Sequence, residues 1–504
     1  MPATTEPSIR GERPAQATAL RRVAVVGGGW AGLAAAVRAA HDGHHVTVFE
    51  ASRTWGGRAR TVTLRHPTEL TLDNGQHILI GAYTETLRLM QLVGVDTEAV
   101  FVRRPLRMTY PDGTGLALPD WPAPLDVLAG VLGTRGWRWT DKLALLATAA
   151  RWQATGFTCP PHTTVAGLCA RLPQRLQQEF IAPLCISALN TPADRASGQV
   201  FLRVLKDAMF GVAKGSNLLL PRVPLGALWP DAAVSWLQQR PQPADLRLGV
   251  RVTSLQPATV EMPGQRSPSG NGLPSITPHP SAAHSVGRQW TVNGEVFDHV
   301  VLANSASKQT SELIQQALAA SHESGGHQNG LTNTDAMAFE AIATVYAWAG
   351  QRSEESTRTS TDTHSRHLDR IEQMLGVTHT LPHPMLALRH SARHPAQFVF
   401  DRGQLGGPAG LLAFVISASG TETGPIADAV QQQALTQLGL RIEVIQTIVE
   451  KRATFACTPG LVRPPMQLAP GLTAAGDHIQ GPYPATLEGA MRSGWSAGEV
   501  KSTT

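Results

Sequence analysis

Arg22-Val-Ala-Val-Val-Gly-Gly-Gly-Trp-Ala-Gly-Leu-Ala-Ala-Ala36 decides the fold. Val23 to Val26 is a short run of β-branched residues and Ala, suited to a buried parallel strand. Gly27, Gly29 and Gly32 complete G-x-G-x-x-G, and Leu33 to Ala40 reads as a helix of small residues. In this pattern the first glycine allows a tight turn and the second lets a pyrophosphate approach the backbone. The third lets the helix pack close to the strand, with its N-terminus toward the phosphates. A second strand, Val46 to Phe49, ends in Glu50, 18 residues after Gly32. There a carboxylate accepts ribose hydroxyls and repels a 2′-phosphate, which disfavours NADP. A glycine turn alone has ordinary structural uses. The ordered series of strand, glycines, helix, strand and acid makes this a dinucleotide site, with FAD and NAD still open.

Arg53 to Arg58 reads Arg-Thr-Trp-Gly-Gly-Arg. Gly56 and Gly57 would let the backbone approach the cofactor, and Arg58 would pair with pyrophosphate charge. The alternative is a turn followed by a surface Arg. At the other end of the chain, Leu472-Thr-Ala-Ala-Gly-Asp477 is a short apolar strand, followed by a helix over Pro484 to Gly494. A strand ending in Gly476-Asp477 can offer its carboxylate to ribityl hydroxyls. A helix N-terminus over Ala485, Thr486 and Leu487 can aim its dipole at the flavin ring. FAD needs this C-terminal element and an NAD domain does not, so FAD is the expected cofactor.

The chain has 504 residues, enough for two or three domains or one interleaved pair. A net charge of +5 is mild at this length, and no block of Lys and Arg suggests nucleic acid. Cys159, Cys169, Cys185 and Cys457 show no metal-ligand spacing, and the 18 histidines are scattered, so no metal site is expected. Reduced thiols fit a cytoplasmic protein. Residues 1–20 lack a signal-peptide core and read as a disordered leader. No uninterrupted apolar run reaches the ~18 residues of a spanning helix.

Leu72-Asp-Asn-Gly-Gln-His-Ile-Leu-Ile-Gly81 sets Asp73, Asn74, Gln76 and His77 around a glycine just before an apolar strand. It is either a simple turn or the polar loop that faces a flavin and its substrate. A helix is expected over Tyr83 to Val93, and strands with a Pro-Asp-Gly turn over Phe101 to Leu118. Leu125 to Leu132 and Lys142 to Trp152 read as apolar helices, with Trp137-Arg-Trp139 between them. Tryptophans beside Arg and Lys suit a membrane interface and an ordinary core equally. Leu168 to Leu176, Gln177 to Ile186 and Gly198 to Phe210 continue as helices, with Thr191 as a cap before Pro192. Leu246 to Val252 and Asp298 to Ala303 are strands expected in the dinucleotide sheet. Trp290 to Val292 with Glu295 to Phe297 reads as a hairpin. Ala341 to Trp348, Pro384 to Leu388, Gln397 to Phe400 and Leu411 to Ser417 are expected to form a second sheet. Ile426 to Leu438 is helical, and Ile442 to Arg452 reads as helix and then strand. Residues 256–288, 320–335 and 350–368 are polar or rich in Pro, Ser, Gly and His, as disordered insertions are.

The glycines at 27–32, Glu50, Gly56 to Arg58, Gly476-Asp477 and Thr486 to Gly494 resemble the FAD-dependent amine oxidase/phytoene desaturase superfamily. Leu72 to Gly81, Pro183-Leu-Cys-Ile-Ser-Ala-Leu-Asn-Thr-Pro192 and Leu218-Leu-Leu-Pro-Arg-Val-Pro-Leu225 narrow the resemblance. They resemble the squalene-associated flavin desaturase branch, which dehydroxylates hydroxysqualene in hopanoid-type squalene synthesis. The resemblance covers most of residues 21–498, with the leader and the insertions as departures. It implies an α/β fold, a Rossmann-like FAD-binding domain of GR2 type interleaved with a mixed-sheet and helical substrate domain. The expected FAD-binding domain comprises 21–100, 241–305 and 450–504, and the substrate domain 101–240 and 306–449. The expected FAD contacts are Gly27, Gly29, Trp30, Ala31, Gly32, Glu50, Ala51, Gly56, Gly57, Arg58, Gln76, Val252, Gly476, Asp477, Thr486 and Leu487. His77 or Asp73 is the expected proton donor. The helical segment Leu125 to Phe210 is the expected wall of an apolar tunnel.

The implied substrate is a long isoprenoid lipid, reduced at an allylic hydroxyl. With no second G-x-G-x-x-G, electrons come from an external donor or from transient NAD(P)H. Peripheral contact with the inner face of the cell membrane and with neighbouring squalene-pathway enzymes is an accompanying expectation. A carotenoid-type desaturase shares the fold. So does an amine oxidase, which needs an aromatic cage; only four tyrosines occur, with Tyr483 beside the C-terminal motif. A flavin-bearing lipid carrier is the non-enzymatic alternative.

Overall fold

The computed structural model describes residues 20–65, 69–258, 289–319, 337–350, 381–419 and 424–500. The leader read over 1–20 and the insertions read over 256–288, 320–335 and 350–368 lie almost wholly outside these. Two edges of the insertions are ordered instead: residues 255–257 and 339–350 are strands.

Two sheets organise the chain. The first has six strands in the order Asp245–Leu248, His45–Glu50, Arg22–Val26, His299–Leu302, Leu472–Ala474, Gln467–Ala469. The first five run parallel and the last pairs antiparallel. Alternation explains its two-sided burial, since successive side chains of a strand face opposite ways. Val23 and Val25 pack with Leu33, Val37 and Met491 on one face. Ala24 and Val26 pack with Phe297, Leu302 and Leu313 on the other.

The helix Trp30–His41 follows the glycine turn, and the C-terminal helix Leu487–Ala497 lies against it. Small residues make that approach possible. A Cβ at Gly494 would stand 2.0 Å from the Ala31 carbonyl oxygen, and one at Gly498 would stand 2.3 Å from that of Ala35. Thr486 caps the C-terminal helix by accepting from the Gly489 N–H at 3.0 Å.

The second sheet is antiparallel, in the order Met385–Ala387, Phe398–Asp401, Leu411–Ser419, Phe339–Gly350, Arg441–Phe455. One face is covered by the helix Gly424–Leu438 through Val345, Phe414, Val430 and Ala434. The opposite face, with Phe398, Phe400 and Val415, joins a core built from the helices between 125 and 206.

Several elements differ from the sequence reading. Arg441–Phe455 is strand throughout, because its β-branched residues alternate against a long partner strand. The Leu168 to Leu176 helix is split: Val165–Leu168 ends before Pro173, and Gln174–Leu176 leads through a wider turn into Ala182–Leu189. Thr191 caps nothing; its hydroxyl donates to the Leu189 carbonyl and accepts from the Cys457 N–H. The next helix starts at Gly198 with Ser197 as its cap. The strand read over Leu246 to Val252 ends at Leu248, where Gly249 turns at φ +72°. The helices Leu225–Leu228 and Pro230–Gln238 pack through Trp229 and Leu237 onto the Trp30–His41 helix, so this part of 101–240 sits with the dinucleotide half.

Candidate cofactor and substrate cleft

A cleft of about 610 Å3 runs from the glycine turn to the second sheet. Its far end is bounded by Glu50 and Ala51, which follow from the second strand. Both Glu50 oxygens are engaged by backbone, at 2.6 Å from the Gly28 nitrogen and 2.7 Å from that of Ser52. Gly56 is drawn onto the glycine turn by its N–H, which donates to the Gly28 carbonyl at 2.9 Å. The face between these loops is open: a Cβ at Gly29 would meet only the Gly57 Cα, at 3.9 Å. By contrast a Cβ at Gly27 would collide with the Ala303 carbonyl at 2.6 Å. Asn304 lines the same end, and its Oδ1 is buried with no partner among the described residues.

Midway, Asp477 is nearly buried and paired with Arg58. Burial alone would push its carboxyl up. The Arg58 guanidinium, with His478, outweighs burial and holds it well below the usual carboxylate range. Gly476, Ala485, Thr486 and Leu487 complete this wall, at the N-terminus of the C-terminal helix.

Beyond it the polar turn 74–77 meets the second sheet. Tyr346 and Glu450 of that sheet, with Arg402 just past the end of the strand Phe398–Asp401, pin the turn. The Tyr346 hydroxyl donates to the Asp73 carbonyl at 3.0 Å, and Arg402 donates to Gln76 Oε1 at 3.0 Å. Glu450 Oε2 accepts from Asn74 Nδ2 at 3.1 Å and lies 3.6 Å from Arg60. His77 Nδ1 bonds the Gly75 carbonyl at 2.7 Å, which requires the proton on Nδ1 and leaves Nε2 as the second nitrogen. Burial lowers the His77 pKa, opposed by the Gly75 bond and by the nearby Asp73 and Glu450 carboxylates. Around this polar patch the cleft is apolar, with Ile342, Phe398, Phe400 and Val415 from the sheet and Ala188 and Leu189 from the helix Ala182–Leu189.

Residues 30–308 match the family described as flavin containing amine oxidoreductase. The chain belongs to this family. It is 27% identical over 238 residues to a hydroxysqualene dehydroxylase of Zymomonas mobilis, covering 45% of this chain and 53% of that protein. It is 26% identical over 232 residues to another from Sinorhizobium fredii, covering 44% and 51%. The chain thus spans about half the length of the curated relatives it matches. Cyclohexylamine oxidase from Brevibacterium oxydans superposes with a TM-score of 0.58 at 14% identity, covering 95% of this chain and 98% of that one. That likeness concerns the fold.

Membership of this flavoprotein family makes FAD the cofactor, and the residues fit it. The open Gly29–Gly57 face, the terminal Glu50, the orphaned Asn304 oxygen and the buried Asp477 offer a backbone approach and polar partners for a long dinucleotide. Of the expected contacts, Gly27, Gly29, Trp30, Ala31, Glu50, Ala51, Gly56, Gly57, Arg58, Gln76, Val252, Gly476, Asp477, Thr486 and Leu487 line the cleft. Trp30 does so with its indole N–H turned to the Ala59 carbonyl.

Three expectations are corrected. Gly32 does not line the cleft; a Cβ there would stand 1.8 Å from the Gly27 carbonyl, so its role is the packing of turn on helix. Arg58 is committed to Asp477 and the Ala453 carbonyl rather than standing free for phosphate. Asp73 does not line the cleft either: its Oδ1 accepts the Leu225 N–H at 2.8 Å, at the start of the helix Leu225–Leu228. Burial raises its pKa, against that bond and Arg402.

Glu450, Asn190 and Asn304 line the cleft without having been singled out from sequence. Asn190 holds φ +45° and donates to Thr454 Oγ1 at 3.0 Å. An Asn before Thr-Pro, after an apolar helix, was its one local signal. Glu450 had none, since its segment was read partly as helix.

Proposed function

We propose that this FAD-dependent oxidoreductase removes the hydroxyl of hydroxysqualene reductively, giving squalene. The observation that carries the reading is the meeting of an apolar sheet face (Ile342, Phe398, Phe400 and Val415) with the polar turn at His77, in one cleft. The hydroxysqualene dehydroxylases among its relatives support it.

The reaction needs one proton, one hydride and loss of water. When bound and reduced, FAD supplies the hydride. The chain's own residues do the rest. The apolar wall holds a hydrocarbon chain and keeps water from an allylic cation. His77 protonates the departing hydroxyl through Nε2, its Nδ1–H held by the Gly75 carbonyl. Burial makes its imidazolium a stronger acid than a free histidine, at the cost of a smaller protonated population at neutral pH. Glu450 accepts from Asn74 Nδ2 and the Arg60 N–H donates to Asn74 Oδ1, so the two position the turn that carries His77.

An amine oxidase would present facing aromatic walls. Tyr83 and Tyr483 instead meet edge to face at 6.3 Å and 72°, and only Tyr83 of the two lines the cleft. The test is product analysis: the chemically reduced holoenzyme is incubated with hydroxysqualene and the lipids are separated. Squalene supports the reading. Unchanged hydroxysqualene, with an added double bond appearing when the oxidised enzyme meets a polyene, would move it to a desaturase. Tight lipid binding with no turnover in either state would leave a carrier.

A further inference from the structure

Resting on the dehydroxylation reading above, we infer that the Glu450 carboxylate is a second catalytic group of this cleft, the counter-charge to the allylic cation left when the hydroxyl departs. Its place follows from strand register. Ile342 pairs with Glu450 on one side and with Ser417 on the other. Residues directly opposite one another on antiparallel strands share a face, and all three line the cleft. Glu450 therefore stands in the row that carries the apolar wall, beside Ile342. Its side chain is 22% exposed. A carboxylate so placed gives up hydration, which costs free energy unless donors or cations face it. The described residues meet that need in part. Oε2 accepts from Asn74 Nδ2 at 3.1 Å and lies 3.6 Å from Arg60 Nη1. Pinning the turn needs only an acceptor at that oxygen, which a glutamine would also offer. The negative charge goes beyond that role.

Three carboxylates line the cleft among the described residues, those of Glu50, Asp477 and Glu450. Glu50 is taken by the Gly28 and Ser52 N–H groups at the dinucleotide end. Asp477 is paired with Arg58. Glu450 alone of the three stands where the apolar wall meets the polar turn 74–77, and its charge reaches His77, whose protonated form it favours. The chemistry needs a negative charge there. As the C–O bond breaks, its electron pair leaves with the oxygen, which takes the His77 Nε2 proton and departs as water. The carbon stays positive until a hydride, supplied by reduced FAD, brings it an electron pair. Having lost its proton, His77 is neutral and no longer repels the cation. A fixed charge in an apolar site is weakly screened and needs no reorganisation as the cation forms. Arg60 opposes it, but that guanidinium is 37% exposed and shared with the Gly57 carbonyl, so water weakens its field more than that of Glu450.

The test uses the oxidised holoenzyme and two probes: a long isoprenoid tertiary amine, protonated at neutral pH, and the hydrocarbon with carbon in place of its nitrogen. Perturbation of flavin absorbance reads binding. The ammonium mimics the cation and should bind the wild type at least about tenfold more tightly than the hydrocarbon does. Glu450→Gln should lose that preference while hydrocarbon affinity and flavin content stay unchanged, and Glu450→Asp should keep part of it. Turnover of Glu450→Gln should fall by about 10^2- to 10^3-fold in kcat with KM little changed. A preference absent from the wild type, or undiminished in Glu450→Gln, would overturn the inference and leave Glu450 as a pin for the turn. Product analysis keeps this result apart from the reading beneath it. Squalene formed at equal rates by wild type and Glu450→Gln removes the role of Glu450 alone, whereas no squalene from wild type removes dehydroxylation and this inference together. Were Glu450→Gln to lose its flavin, Arg60→Gln carries the test: ammonium binding should tighten, and unchanged or weaker binding would overturn the inference.

Discussion

Arg58 and Asp477 lie 419 residues apart in the chain and form an ion pair on the wall of the cleft. The pair joins the Gly-Gly-Arg segment that follows the second strand to the segment that precedes the last helix. The two ends of the chain therefore complete the cofactor cleft together. Removing one partner leaves the other charge in a largely dry place, which typically costs about 3 kcal/mol. Asp477→Asn should lower stability by roughly that amount and reduce the flavin retained on purification. Thermal unfolding and the ratio of flavin to protein absorbance read both effects. Asp477→Asn with full flavin occupancy and unchanged stability would remove the pair from the account.

Gly494 faces the Ala31 carbonyl, and a methyl group there has no room. Gly494→Ala should push the C-terminal helix off the Trp30–His41 helix and destabilise the fold by about 1–3 kcal/mol. The control Gly113→Ala, where a Cβ meets nothing within 4 Å, isolates the cost of backbone conformation, because Gly113 holds φ +76°. Chemical denaturation of the two variants separates collision from conformation.

His299 is buried in the dinucleotide sheet, with Nε2 3.1 Å from the Ala497 carbonyl and 3.0 Å from Thr473 Oγ1. Burial lowers its pKa from 6.5 to about 4. The unfolded chain therefore binds a proton below about pH 6.5 that the folded chain refuses until about pH 4. In that window the unfolded state carries more protons, so stability falls as pH falls, by about 3 kcal/mol across the window. Denaturation midpoints between pH 7 and 4 should show a slope that His299→Gln flattens.

His77→Gln should lower turnover by about 10^2- to 10^4-fold while leaving flavin bound. Its lowered pKa gives the rate a direction. The protonated donor accumulates only as pH drops below the usual histidine value, so wild-type turnover should rise from neutral toward mildly acid pH. A pH profile of single-turnover rates checks this, and the residual rate of His77→Gln should lack the rise. Asp73→Asn should instead act through stability, since Asp73 serves the Leu225 N–H.

Much of the cofactor half was legible because its signals are local. The glycines from Gly27 to Gly32, Glu50, Gly56-Gly57 and Gly476-Asp477 are short motifs whose backbone requirements fix where they sit. The assignment of Asp73 failed for the opposite reason. Asp73 and His77 are four residues apart in one polar turn, and only the packing of Tyr346, Arg402 and the Leu225 helix start decides which faces the cleft. Arg58 was recognised, but its partner lay across the chain, where spacing carries no information. Glu450 was hidden because an isoleucine- and valine-rich segment fits helix or strand until its long partner strand is known.

When the purified holoenzyme is reduced anaerobically and hydroxysqualene is added while flavin absorbance is followed, the oxidised flavin spectrum should return, with one squalene formed per flavin reoxidised. A spectrum that stays reduced with hydroxysqualene bound and unchanged would contradict reductive dehydroxylation.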